Sequence, residues 1–280
     1  MNIQSAIIDG SRILKKKLIS NANLDSEILM AEAIKENREF LILNSNYNIG
    51  KKELKVFYKL IEKRSLREPI AYITNKKSFW NSEFFVTKDT LIPRPDTELI
   101  VENILKITKN RESLRILDIG IGSGCILLSI LKEKKNFYGT GIDISKKCLK
   151  ISKINAINLK VDQRLKLIKT DVDKFISSKY DLIVSNPPYI VKKKLKYLDR
   201  DVVKYEPTQA LNGGIDGLSE IRKVINKSSE LIKKKGRLIL EIGFDQKNKV
   251  INLLNKKGFY INNIYKDFAD NDRCIVCTKI

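Results

Sequence analysis

The apolar residues of this chain change their period along its length. From residue 1 to about 74 they recur at helical spacing. Leu54, Phe57, Tyr58 and Ile61 fall on one face of a helix over Lys51 to Arg67, and similar patterns predict helices over Ile3 to Ile19, Asp25 to Lys35 and a short Arg38 to Leu43. Asp25 stands at the start of its pattern, where it caps or opens the helix. Residues about 75–95 alternate instead, through Ser78-Phe79-Trp80 and Glu83-Phe84-Phe85-Val86-Thr87, as a linking β-hairpin. Beyond residue 96, strand-like runs alternate with helical ones to residue 280, the signature of an α/β domain with a mostly parallel sheet. Strands are predicted at Leu114–Leu117, Phe137–Ile142, Leu165–Thr170, Tyr180–Ser185, Arg237–Ile242, Tyr260–Tyr265 and Arg273–Thr278, while Ile232 to Lys235 counts among the plain lysine-rich helices. The expected organisation is a small helical domain over 1–74, a linker at 75–95 and the α/β domain over 96–280.

The strand at Tyr180–Ser185 stops at Asn186-Pro187-Pro188-Tyr189, a combination suited to holding a flat –NH2 group. Asn supplies a carbonyl oxygen that accepts one N–H. Proline has no N–H, so the turn offers carbonyl oxygens without competing donors. Tyr189 offers a ring face for stacking. The plainer alternative is a strand-to-loop stop, because Asn-Pro is a common turn dipeptide. Upstream, Asp118-Ile119-Gly120-Ile121-Gly122-Ser123-Gly124 follows one strand and opens a helix, with glycines that let the backbone pass close to a ligand. The dinucleotide fingerprint fails at Cys125, where its third glycine would stand, and no Gly-Lys-Ser/Thr follows for a nucleotide-phosphate loop. A D-x-G-x-G-x-G run suits S-adenosylmethionine, which has no phosphates to cradle. Asp143 ends the next strand about 20 residues on, placed to accept from ribose hydroxyls, and Asp171 ends the one after. Several strands thus end in polar groups along one sheet edge, where open α/β sheets bind ligands.

With these residues in this order, the chain resembles class I S-adenosylmethionine-dependent amino-methyltransferases. More narrowly, it is similar to the release factor glutamine methyltransferases, which modify the glutamine of the Gly-Gly-Gln motif in class I peptide chain release factors. The resemblance covers nearly the whole chain. It includes Asp25-Ser26-Glu27-Ile28-Leu29, Arg67-Glu68-Pro69-Ile70-Ala71-Tyr72-Ile73, Phe79-Trp80 and Leu91-Ile92-Pro93-Arg94-Pro95-Asp96-Thr97-Glu98. It continues through Tyr205-Glu206-Pro207, Leu240-Glu241-Ile242-Gly243 and Asp270-Asn271-Asp272-Arg273. The resemblance implies a Rossmann-like sheet of seven strands, the last antiparallel, with the helical domain docking the protein substrate. It places Gly120, Ile121, Gly122, Ser123 and Gly124 along the methionine part of S-adenosyl-L-methionine and Asp143 at the ribose. Asn186 bridges cofactor and substrate, with Pro187, Pro188 and Tyr189 completing the glutamine pocket; Asn186 and the Pro187 carbonyl are the catalytic acceptors. Asp118 is expected to brace the loop and Asp171 to lie near the adenine amino group. After Asp171 the family often has a large aromatic residue; here Val172 gives adenine an apolar face without stacking. Glu206 and Pro207 fit a cleft-lining loop or a structural turn equally well.

Composition adds bounds. The net charge of +21 favours an anionic partner and leaves room for RNA contact without requiring it, although lysine is abundant everywhere, as an AT-rich genome would produce. Lys192-Lys193-Lys194, just past Tyr189, adjoins the expected cleft. The chain has no histidine, which argues against a Ser-His-Asp hydrolase. Its four cysteines are too few for a disulfide scaffold, and Cys274 and Cys277 read as buried structural residues rather than a metal site. No apolar run approaches 18 residues, so a cytoplasmic protein with no membrane partner is expected. Two alternatives remain at this level. An N6-adenine nucleic-acid methyltransferase would use the same Asn-Pro-Pro-Tyr on another flat –NH2. An idle S-adenosylmethionine-binding scaffold would have no reason to keep those acceptors.

Overall fold

Helical periodicity gives way to alternating elements in the computed structural model, which describes residues 1–280. The elements are α1 (Ile3–Lys16), α2 (Ala22–Ile34), α3 (Arg38–Leu43), α4 (Lys51–Ser65), α5 (Ile70–Thr74), β1 (Lys76–Phe79), β2 (Ser82–Phe85), α6 (Glu98–Ile107), β3 (Arg115–Ile119) and α7 (Cys125–Glu133). They continue as β4 (Tyr138–Asp143), α8 (Lys146–Asn158), β5 (Leu165–Lys169), β6 (Tyr180–Ser185), α9 (Arg200–Tyr205), α10 (Ser219–Leu231), β7 (Ile232–Glu241), α11 (Lys247–Lys256), β8 (Phe259–Lys266) and β9 (Asp272–Lys279). The chain forms two compact units: Met1–Lys76 with Asp199–Tyr205, and Lys77–Leu198 with Glu206–Ile280. No helix is long and apolar enough to cross a membrane.

In the helical unit, Ile3, Leu14, Leu29, Met30, Phe57 and Ile61 share one core. Asn2 and Asn37 cap α1 and α3, each accepting a first-turn backbone N–H, at 2.9 and 2.8 Å. Asp25 does not cap. It lies within α2, buried, and accepts from Arg64 Nε at 2.7 Å. Arg64 Nη1 also donates to Asp201 on α9 at 2.7 Å and to the Glu68 carbonyl at 3.1 Å. A charge held in an apolar core needs such a partner, because burying it alone is costly. The Tyr205 hydroxyl donates to the Leu66 carbonyl at 2.9 Å and fixes the other end of α9.

The second unit is built on a seven-stranded sheet in the order β5-β4-β3-β6-β7-β9-β8. Its pairings are parallel from β5 to β7, and β9 runs antiparallel to both neighbours. Strands β3 and β6 read as near-continuous apolar runs because they are covered on both faces. All of the β1–β2 hairpin but Lys76 groups with this unit. Phe85 exchanges two hydrogen bonds with the Asn155 side chain on α8, at 2.7 and 3.0 Å, and the Trp80 N–H donates to Glu98 at 2.8 Å. The expectation of helix at Ile232 to Lys235 is also corrected: α10 stops at Leu231, and Ile232 begins β7 by pairing with Tyr180. Lys233 then reaches Asp181 at 2.6 Å. Cys274 and Cys277 are both fully buried on β9.

Sheet order creates the binding edge. From β3 the chain moves outward through β4 and β5, then crosses back to β6 on the other side. The loops after β3 and β6 therefore leave neighbouring strands at a switch point. Buried Ser185 ties them directly by donating to the Ile119 carbonyl at 2.7 Å.

Candidate functional site

A cleft of about 610 Å³ opens at this edge, within the usual size range of small-molecule sites. Gly120, Ile121, Gly122, Ser123, Asp143, Val172, Asn186, Pro187 and Pro188 all line it, together with Asp171. Gly124 and Tyr189 do not. A Cβ at Gly124 would stand 2.7 Å from Leu128 Cδ1, so this residue serves the close approach of loop and helix. Tyr189 packs against the core and turns its hydroxyl to Glu241 at 3.3 Å.

The glycine loop provides shape more than hydrogen-bond donors. Gly120 adopts φ +79°, and a Cβ there would meet nothing within 4 Å, so the backbone borders open space. Four of the five N–H groups from Gly120 to Gly124 are already committed: Gly120 and Ile121 to the Ile142 carbonyl, Gly122 to Asp143, and Gly124 to the Ile121 carbonyl. From α8, Ser152 holds the Gly122 carbonyl at 2.7 Å and Asn155 holds the Ser123 carbonyl at 2.9 Å. A phosphate needs free N–H groups at such a turn. A ligand without phosphates, such as S-adenosylmethionine, does not.

The acidic groups differ in their surroundings. Asp143 accepts from the N–H groups of Gly122 at 3.0 Å and Ser145 at 2.8 Å. Burial nevertheless pushes its carboxyl above the usual range. Asp171 accepts from the Asp173 N–H at 2.9 Å. Asp118 was expected to brace the loop, yet neither of its buried carboxylate oxygens has a hydrogen-bond partner in the protein. Burial first, and the Asp143 charge second, push its carboxyl up to about 7, while the Leu127 N–H draws it back. Asp118 is not among the residues that line the cleft, so its unpartnered carboxyl lies behind the loop.

On the substrate side, Asn186 Nδ2 donates to Thr97 Oγ1 at 3.2 Å, and Thr97 Oγ1 donates to Glu241 Oε2 at 2.8 Å. Thr97 and Glu241 are both buried. Burial, with Asp96 adding to it, pushes the Glu241 carboxyl up to about 7 against the hydrogen bonds from Thr97 and Tyr189 and the charge of Arg273. Glu206 settles as a clamp. Its buried carboxylate takes Arg94 Nη2 at 2.5 Å and the Ile92 N–H at 3.2 Å, fixing a segment whose Arg94 lines the cleft. The sequence reading included Thr97, Arg94 and Glu241 only within the resemblance and gave them no role. The Pro-Arg-Pro-Asp-Thr-Glu run was the available signal.

Comparison with known proteins adds the family and the fold. Residues 5–74 match a family model described as the PrmC N-terminal domain, and residues 95–214 match the methyltransferase small domain. A release factor glutamine methyltransferase of Clostridium acetobutylicum is 38% identical over 100% of this chain and 99% of its own length. One from Buchnera aphidicola subsp. Acyrthosiphon pisum is also 38% identical, over 100% and 99% respectively. Among solved structures, a methyltransferase from Pyrococcus furiosus superposes with a TM-score of 0.54 at 16% identity, covering 72% of this chain and 91% of that one. At that identity the likeness speaks for the fold alone.

Proposed function

The chain belongs to the release factor glutamine methyltransferase family, and from that premise we propose how its cleft performs the transfer. The protein is an S-adenosylmethionine-dependent methyltransferase, and its target is the side-chain amide nitrogen, N5, of a release factor glutamine. The family resemblance places that glutamine in the Gly-Gly-Gln motif of class I factors. Such a protein works in the cytoplasm, and the transfer itself calls for no RNA. The observation that carries this reading is the meeting of the glycine loop with Asn186, Pro187 and Pro188 in one cleft.

Bound S-adenosylmethionine supplies a sulfonium methyl that is already electrophilic. The task left to the protein is alignment, and orientation can supply roughly 7–11 kcal/mol of a barrier. An amide nitrogen is a weak nucleophile because its lone pair is delocalised into the carbonyl. Asn186 Oδ1 and the Pro187 carbonyl accept its two N–H groups, aim the lone pair and favour the charge that develops on nitrogen. The N-methylated amide is acidic while protonated and gives its proton to water, so a chain without histidine suffices. On the cofactor side, Asp143 would take the ribose hydroxyls and Val172 would offer an adenine face. The helical unit would supply docking surface, since specific complexes bury about 800 Å² per partner and a side-chain pocket cannot offer that.

Incubation with labelled S-adenosylmethionine and, in separate tubes, a release factor and adenine-rich DNA tests the reading. The release factor's glutamine should be labelled and the DNA should not; the reverse result would establish the adenine alternative. Asn186→Ala should cut transfer to the release factor by about 10²-fold or more, with a smaller loss of cofactor affinity.

A further inference from the structure

A side-chain amide has two ends of nearly equal shape. One accepts hydrogen bonds and the other donates them. Only the oxygen end of Asn186 can serve a target –NH2; the nitrogen end would set donor against donor. Something must therefore choose the end that faces the cleft. We infer that Thr97 and Glu241 are positioning residues that make this choice, holding Asn186 with its oxygen toward the substrate. The inference rests on the acceptor role proposed above for Asn186.

One hydrogen atom makes the difference. Thr97 has a single hydroxyl hydrogen. Glu241 as a carboxylate has only acceptors, so across their 2.8 Å contact the threonine must donate. The Thr97 oxygen then presents only lone pairs to Asn186, 3.2 Å away. Nδ2 satisfies those lone pairs and Oδ1 does not. The carbonyl end of Asn186 is thereby left over for the cleft, which Asn186 and Thr97 both line. Tyr189 donates to the other Glu241 oxygen at 3.3 Å, so the hydroxyls of Thr97 and Tyr189 engage both carboxylate oxygens. Thr97 and Glu241 are 2% and 1% exposed, so bulk water does not compete for these contacts.

The same arrangement reverses when Glu241 is neutral. A protonated Glu241 can donate to Thr97, which can then donate onward to Asn186 and favour the inverted amide. The charged or titratable groups facing Glu241 are Arg273, Asp96 and Tyr189, with the Cys125 and Cys274 thiols on the neighbouring elements. Arg273 favours the charged carboxylate, Asp96 opposes it, and burial brings the change near neutral pH. A structural threonine would produce no such link between pH and turnover.

The experiment uses the full chain, S-adenosylmethionine and a release factor. Thr97→Val should lower kcat about tenfold or more, the scale of one misdirected polar group. The affinity for S-adenosylhomocysteine, read by calorimetry, should hold, and Thr97→Ser should restore the rate. In an Asn186→Ala background, Thr97→Val should cost almost nothing further, because its effect passes through Asn186. Wild-type kcat in Thr97→Val, or an undiminished penalty in the double variant, overturns the positioning role while leaving the acceptor role standing. Wild-type kcat in Asn186→Ala alone sinks both. Should Thr97→Val not fold, Glu241→Gln decides: the decline of kcat as pH falls through about 7 should disappear, and its persistence unchanged overturns the inference.

Discussion

In the helical unit the buried Asp25 meets Arg64 at 2.7 Å, and Arg64 meets Asp201 in turn; in the α/β unit neither carboxylate oxygen of the buried Asp118 has a hydrogen-bond partner. Every buried side-chain nitrogen or oxygen without a partner belongs to the second unit: Asn103, Asp118, Ser129 and Ser228. Two kinds of buried charge follow. One is neutralised internally and holds helices together. The other has no internal partner and costs stability.

The strongest way to break this contrast is Arg64→Ala. It strands Asp25 in the helical core and should destabilise the protein by about 3–5 kcal/mol, the range for removing one partner of a buried pair. Denaturant unfolding reads the loss, while S-adenosylmethionine affinity, measured well below the transition, should stay unchanged. A large loss of affinity would erase the distinction between the two regions. Asp143→Ala should do the opposite, weakening S-adenosylmethionine by roughly 1.5–3 kcal/mol in calorimetric titration, the scale of hydrogen bonds to a charged group. Unchanged affinity would mean that the ribose is held elsewhere.

The orphaned acid gives a pH signature. The Asp118 carboxyl is raised from 3.8 to about 7, so the folded state favours its neutral form. Its contribution to stability is full below the unfolded value and is lost as pH rises through about 7. Without cofactor, Asp118→Asn should therefore melt above wild type at pH 8, by about 2–4 °C if the difference is about 1 kcal/mol. At pH 4 the two should coincide. The smallest effect is expected at Val172, which lines the cleft. Val172→Trp should preserve or raise cofactor affinity, since stacking adds about 0.5–1.5 kcal/mol. Collapse of folding would show that the side chain's packing against the core matters more than its cleft face.

The parts legible in the sequence were those with local signals. The strands of the sheet came from apolar runs, and the two loops that line the cleft came from Gly120–Gly124 and Asn186–Pro188. The hidden parts were short or non-local. α5 and α9, of five and six residues, were not read as helices, although the six-residue α3 was. Ile232 to Lys235 has a helix-like composition but pairs with β6, a tertiary preference that overrides a local one. Asp25 looked like a cap because nothing near it in sequence announces Arg64. The bond from Thr97 to Glu241 spans 144 positions, and that from Asn186 to Thr97 spans 89. The spent N–H groups of the glycine loop were equally invisible, because the motif specifies residue types but not where their hydrogen bonds go.

The placement of α9 bears on how this enzyme can be taken apart. Its residues are encoded between the Asn-Pro-Pro turn and the Glu206 clamp, yet they belong with the helical unit, where Asp201 completes the Arg64 pair. A single cut near residue 76 therefore yields no clean fragment, because it strips α9 of its partners along with the first 76 residues. Anyone building a chimera with a relative's N-terminal region would have to transplant two pieces of sequence, 1–76 and 199–205, to move one piece of structure. A graft of the first alone would confront a foreign helix pair with the native Asp201, and its failure would say nothing about substrate choice.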